Sequence, residues 1–152
     1  MIRISKSNIQ ELSSLFDCEC LSSQDELNVL IVYKEKLPIG YLVFSFDIEK
    51  EFGFTSNKEY FNFLFSLGIE NDSLIALKYI FINENLRNKH YGSELLNSLL
   101  SNYKTYSFLI KKPSNCRYFF EKFNFLSINE FNESSIMLRK YIKPGLCKNI
   151  SW

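Results

Sequence analysis

The sequence predicts one domain, spanning residues 1–152, of α+β or α/β class with a mixed sheet. Two observations carry this. Runs with apolar residues at alternate positions recur along the chain, and between them lie runs with apolar residues spaced i, i+3, i+4 and i+7. The 152 residues are 46% apolar and 23% charged, the size and balance of a single globular domain.

Each element follows in order. Met1 to Ile4 alternates and reads as an edge strand. Ser7-Asn8-Ile9-Gln10 reads as a capping box, with Ser7 as the cap and Gln10 reaching back. The helix it opens runs from about Asn8 to Phe16, with Ile9, Leu12 and Phe16 on one face. Asp17 to Glu26 is polar and reads as a loop or a short second helix. Leu27–Tyr33 and Ile39–Phe46 are β-rich, and the charged, Pro-broken Lys34-Glu35-Lys36-Leu37-Pro38 between them suits a hairpin. Gly40 marks a bulge or a close backbone approach.

Ser56-Asn57-Lys58-Glu59 is a second capping box. It opens a helix over Asn57–Leu67 that Gly68 stops. Tyr60, Phe61, Phe63 and Phe65 span more than half its circumference, so one side covers the sheet. The other side meets an acceptor, a second subunit in a homodimer, or solvent. Leu74–Ile82 is the strongest strand. Strict alternation puts Ile75, Leu77, Tyr79 and Phe81 on one face and Leu74, Ala76, Lys78, Ile80 and Ile82 on the other. Ser93–Tyr103 is a helix with Leu95, Leu96, Leu99 and Leu100 as its buried stripe. Tyr106–Ile110 is a strand. Cys116, Phe119, Phe120 and Phe123 share one helical face, and Ile136–Ile142 is the last strand, ended by Lys143-Pro144-Gly145.

Composition excludes several classes. The apolar content is too high for a disordered chain. No run approaches the roughly 20 uncharged apolar residues needed to span a bilayer, and the N-terminus lacks a signal peptide's apolar core. A net charge of +1 gives no overall basic field, which argues against a nucleic-acid partner. Cys18, Cys20, Cys116 and Cys147 include no C-x-x-C pair, and His90 is the only histidine. No zinc ligand set follows, so no metal is expected; four reduced thiols fit a cytoplasmic protein.

Chemistry concentrates at one junction. The strand ending at Ile82 passes into Asn83-Glu84-Asn85-Leu86-Arg87-Asn88-Lys89-His90-Tyr91-Gly92, and a helix follows at once. The first amides of a helix have no intrahelical partner and, with the helix dipole, suit a phosphate. Arg87 and Lys89 add positive charge, and Gly92 admits close backbone approach. An ordinary strand–loop–helix crossover has the same outline.

Here the sequence resembles the Gcn5-related N-acetyltransferase (GNAT) superfamily. The family's diphosphate loop, R/Q-x-x-G-x-G/A, is matched by Arg87-Asn88-Lys89-His90-Tyr91-Gly92 at Arg87 and Gly92. His90 stands where the first Gly would, which the loop tolerates if His90 keeps a helical or turn backbone. A later family run, A-x-x-F-Y-E-K-L-G-F, is similar to Cys116-Arg117-Tyr118-Phe119-Phe120-Glu121-Lys122-Phe123-Asn124-Phe125, with Asn124 taking the left-handed turn of the usual Gly. The resemblance covers residues 1 to 142 and implies a three-layer, α/β-type fold. Its mixed, mostly antiparallel sheet would carry flanking helices and a central splayed parallel strand pair.

The resemblance also implies a function: transfer of an acetyl group from acetyl-coenzyme A to a primary amine of a small molecule or peptide, by direct attack on the thioester. Backbone around Ile80 and Ile82 would bind the pantetheine arm. Asn88, Lys89, His90, Tyr91, Gly92 and Ser93 would hold the diphosphate, with Arg87 adding charge. Many relatives take the leaving-group acid from the Tyr of F-Y-E-K, where this chain has Phe120; Tyr118 points about 200° round the helix from it. The base is open between Glu84, just past the strand, and Lys78, which also suits an acidic acceptor. Asp47 and Tyr141 are further candidates, and the resemblance keeps His90 in the diphosphate loop. Two other functions remain. One is a family toxin that acetylates aminoacyl-tRNA, with a basic stripe near Lys104, Lys111, Lys112, Arg117 and Lys122. The other is an acyl-coenzyme A-binding protein without turnover.

Overall fold

The computed structural model describes residues 1–16, 27–48, 54, 56–69, 73–111, 117–131 and 134–142. Seven strands form one sheet: β1 (Ile2–Ser7), β2 (Asn28–Lys34), β3 (Leu37–Ser45), β4 (Leu74–Ile82), β5 (Ser107–Lys111), β6 (Leu126–Phe131) and β7 (Ser134–Arg139). Their spatial order is β1-β2-β3-β4-β5-β7-β6. Among the described strands only β4 and β5 pair in parallel; the other neighbours are antiparallel. The α-helices among the described residues are α1 (Ile9–Leu15), α2 (Asn57–Leu67), α3 (Tyr91–Asn102) and α4 (Arg117–Glu121). Asp17–Glu26, Lys112, all four cysteines and Lys143-Pro144-Gly145 lie outside the described residues.

Three layers result. On one face, Leu95, Leu96 and Leu99 of α3 and Phe120 of α4 bury against Leu30, Leu42, Ile75, Leu77 and Phe108 of the sheet. On the other, Tyr60 and Leu64 of α2 cover Leu74, Ala76, Leu109 and Ile136, while Ile9 and Leu12 of α1 cover Val29, Ile31 and Val43. The mixed three-layer sheet with one parallel pair is the architecture the sequence implied.

Local chemistry sets the boundaries. The Ser56 hydroxyl accepts from the Glu59 amide, and Gly68 ends α2 at φ 68°, as its capping box and stop predict. The first capping box is shifted. Asn8, not Ser7, caps α1, its side-chain oxygen accepting from the Glu11 amide at 2.8 Å. Ser7 is still paired to Val29 as the last residue of β1, so the chain leaves the extended conformation one residue later. The hairpin turn is shorter than the sequence suggested: Lys34 pairs with Leu37, leaving Glu35 (φ 60°) and Lys36 as the turn. Gly40 serves both expected purposes. The β2–β3 register shifts beside it, and a Cβ on Gly40 would collide with the Phe81 carbonyl and the Ile82 side chain of β4.

The alternation assigned to β4 fails midway. Val43 stands opposite Tyr79, yet the next residue, Phe44, stands opposite Leu77, so β4 carries one extra residue, Lys78, between these rungs. A β-bulge of this kind reverses the faces beyond it. Ile75 and Leu77 therefore share the α3 face with Ile80 and Ile82 rather than with Tyr79 and Phe81. Phe81 lies on the opposite face, stacked on Tyr41 with ring centroids 5.3 Å apart.

Candidate functional site

The bulge coincides with a fork. The β4–β5 ladder runs from Leu74↔Ser107 to Leu77↔Ile110 and stops. Among the described residues, Tyr79 to Ile82 continue alongside β3 only, so on the β5 side this end of β4 offers its backbone to a cleft. Extended backbone with open donors and acceptors is what a linear amide-containing ligand can pair with, in the manner of an added strand.

At the mouth of the fork β4 gives way to a single 3-10 turn (Glu84–Leu86) and then to α3. Arg87 is anchored across this turn. Its Nε donates to the Ile82 carbonyl at 2.9 Å, and its guanidinium carbon lies 5.5 Å from the Phe81 ring centroid. Asn88 and His90 both have positive φ, 65° and 66°, which curls the loop so that successive amides can line a concavity. His90 is the N-cap of α3, in the left-handed region and without a side-chain cap bond. The helical or turn backbone expected of His90 is thus corrected: it adopts the conformation for which the motif uses Gly, one His enters more readily than most residues. The helix also begins at Tyr91 rather than Ser93. Tyr91, Gly92 and Ser93 consequently form its first turn, where the amides lack intrahelical acceptors.

The cleft beside this turn has a volume of about 640 Å³, within the range of small-molecule sites. Its floor is Ile80, Phe81 and Ile82, and its rim on one side is Arg87, Asn88, His90, Tyr91, Gly92 and Ser93. The sequence-predicted set is thereby brought together, apart from Lys89, which is exposed and does not line the cleft. Leu86 lines it too, and the opposite wall is Tyr118, Phe119 and Lys122 of α4 and the turn after it. The sequence reading missed this wall. Its signal was the second motif, where Tyr118 and Lys122, one turn apart, lie beside the inward-facing Phe119 and Phe120. Gly92 sits close against that wall: a Cβ there would lie 3.7 Å from the Phe119 ring and 3.8 Å from the Ile82 side chain, ordinary contact.

The candidate catalytic residues are less well placed. Lys78 occupies the bulge at the root of the fork, half-buried, with its Nζ 6.0 Å from the Tyr79 ring centroid. Glu84 is exposed on the 3-10 turn. Neither lines the cleft, and among its lining residues there is no carboxylate. Asp47 follows β3, its amide donating to the buried Ser45 hydroxyl at 3.0 Å. Tyr141 lies beyond β7 rather than within it, its amide bonded to the Ser107 hydroxyl at 2.9 Å. Phe120 is 1% exposed and packs on Phe119 and Phe125 with ring centroids 5.2 and 5.3 Å away. It belongs to the core and not to the cleft, so a hydroxyl added at Phe120 would enter an apolar interior rather than refill an acid's place. Asn124 ends this segment at φ 68°, as the motif predicts. No group of three or more His, Cys, Asp or Glu among the described residues could hold a metal ion. No described helix is long and apolar enough to cross a membrane.

No protein-family model matches the sequence, and a search of the curated proteins gives no match. Solved structures are similar over nearly the whole chain. The PaiA N-acetyltransferase from Thermoplasma acidophilum, in complex with coenzyme A, superposes with a TM-score of 0.62 at 14% identity, covering 93% of this chain and 99% of that one. The ribosomal-protein-S18-alanine N-acetyltransferase from Escherichia coli gives 0.65 at 11% identity, covering 100% of both. An acetyltransferase of the GNAT family from Staphylococcus aureus gives 0.59 at 12% identity, covering 91% and 98%. The seven-stranded sheet, its single parallel pair forking beyond Leu77 and its flanking helices are the GNAT acetyltransferase fold.

Proposed function

We propose that this chain is an N-acetyltransferase that moves an acetyl group from acetyl-coenzyme A to a primary amine. The observation that carries the reading is the fork at Leu77↔Ile110 opening directly onto the first turn of α3. The residues present fit the coenzyme. The β4 edge at Tyr79–Ile82 suits the amides of a pantetheine arm, and the amides of Tyr91, Gly92 and Ser93, with the Arg87 charge, suit a diphosphate. At Gly92 there is no side chain to stand between backbone and ligand.

The thioester supplies an activated acetyl carbonyl: the amine nitrogen would form the new C–N bond, the C–S bond would break with its electron pair leaving on the coenzyme A thiolate, and the amine's proton would be lost, a proton from solvent returning the thiolate to the free thiol. The chain's part is positioning and proton handling. Glu84, past the end of β4, is proposed to take the amine proton through water, and Lys78 at the fork is proposed to meet an acidic acceptor. The acceptor would be a small molecule or a peptide, as with the S18 alanine acetylated by one of the similar enzymes. A net charge of +1 disfavours an RNA acceptor. A cytoplasmic location belongs to the same reading.

The lack of carboxylates among the described residues that line the cleft, with Phe120 buried where relatives keep a Tyr, favours a second reading: coenzyme binding without turnover. Calorimetric titration with acetyl-coenzyme A, run beside thiol release in a panel of amines, separates them. Binding with amine-dependent release supports the transferase, binding without release supports the second reading, and absence of binding contradicts both.

A further inference from the structure

The bulge at Lys78 decides which side chains face away from α3 at the fork. Unbroken alternation from Leu74 and Ala76 would put Ile80 and Ile82 there; the reversal puts Tyr79 and Phe81 there instead. Two helices cover this face on either side. Ile9 and Leu12 of α1 bury against Val43, which stands opposite Tyr79, and Tyr60 and Leu64 of α2 bury against Ala76. Tyr79 falls between these two covered patches and is 42% exposed. Phe81 also lines the cleft, and its ring is fixed from behind. It stacks on Tyr41 with centroids 5.3 Å apart and meets Phe16 edge-on at 6.2 Å, while Phe16 meets Tyr41 at 5.0 Å. Cations flank the pair: the Lys78 Nζ lies 6.0 Å from the Tyr79 ring centroid, and the Arg87 guanidinium carbon lies 5.5 Å from that of Phe81. An aromatic floor thus adjoins the fork on the face opposite the first turn of α3.

Its position gives this floor a ligand. Resting on the coenzyme reading above, the coenzyme enters the fork from the α3 face and fills that side. An amine then meets the thioester from the other face, over Tyr79 and Phe81. We infer that the acceptor is an amine carrying an aromatic ring, which Tyr79 and Phe81 seat by edge-to-face or offset contact while the amine points into the fork. Aromatic pairs add a preference of roughly three- to tenfold beyond the apolar area they bury, and they demand a flat ring rather than mere bulk. The flanking cations act in the same direction on the amine: nearby positive charge disfavours the ammonium form, and the neutral amine is the nucleophile.

The test is NMR titration of the full chain, saturated with coenzyme A so that no acetyl group is present to transfer. The probes are 2-phenylethylamine and 2-cyclohexylethylamine, which share a carbon skeleton and differ in the aromaticity of the ring. The aromatic amine should bind roughly three- to tenfold tighter and shift the amides of Tyr79 and Phe81. Tyr79→Leu should remove the preference, so that both amines bind alike, and Tyr79→Phe should keep it. Melting temperatures show whether each variant remains folded, and the comparison of the two amines in the parent stands without them. Equal affinity for the two amines in the parent, binding of neither, shifts that avoid Tyr79 and Phe81, or a preference that survives Tyr79→Leu overturns the inference and leaves the coenzyme reading standing. A parent that does not bind coenzyme A overturns the coenzyme reading and this inference with it.

Discussion

His90 holds a backbone conformation that a side chain disfavours, with φ 66° at the cap of α3 and no cap bond in return. The left-handed region costs an L-residue roughly 1 kcal/mol or more, a cost glycine avoids. His90→Gly should therefore raise stability by up to about 1 kcal/mol, offset in part by glycine's larger unfolded-state entropy, and a thermal melt should show a rise of about 2 °C. Two residues on, Gly92 allows a test in which fold and binding separate. A Cβ has room there at 3.7 Å from Phe119, and a carboxylate in the first turn favours the helix dipole. The same carboxylate repels a diphosphate. Arg87→Ala with Gly92→Asp should keep the melting temperature near the parent's and weaken acetyl-coenzyme A at least tenfold, about 1.4 kcal/mol. Equal affinity in the folded double variant would remove the diphosphate from this loop.

At the scale of elements, what the sequence showed and what it hid have distinct physical causes. The bounds of α2 were legible to the residue because Ser56 and Gly68 act through local backbone geometry. The stop at Asn124 was legible for the same reason. The bulge at Lys78 was hidden, since every side chain around it is one a regular strand also accepts. Only the register against β3 reveals it, and that register depends on residues far away in the chain. The same holds for Phe120: a motif places it in sequence, but the contact with Phe125 decides which way it faces. Gly40 controls the approach of β3 to the open end of β4. Gly40→Ala would push against the Phe81 carbonyl and Ile82, and overpacking of this kind costs about 1–3 kcal/mol. The expected result is a lower melting temperature together with weaker acetyl-coenzyme A binding, because the displaced backbone is the cleft floor. A drop in stability with coenzyme affinity intact would uncouple Gly40 from the site. On α2, Tyr60 is 3% exposed and Phe65 is 88% exposed. Tyr60→Ala should cost about 3–5 kcal/mol by chemical denaturation, whereas Phe65→Ser should stay within about 0.5 kcal/mol. A large loss at Phe65 would mean that this helix is covered in solution.

Over the whole molecule, two layers of helices hold a sheet whose central parallel pair is joined at one end and open at the other. The joined half, Leu74 to Leu77, is buried on both faces and is the stable frame. The open half is bonded on one side only among the described residues, so its amides toward the cleft exchange with solvent unless something occupies them. Acetyl-coenzyme A is proposed to occupy them, and hydrogen exchange measured with and without the coenzyme reads this out residue by residue. Slowed exchange is expected at Tyr79–Ile82 and at His90–Ser93, with Leu74–Leu77 already protected in both states. Coenzyme binding that leaves exchange at Tyr79–Ile82 and His90–Ser93 unchanged would contradict it.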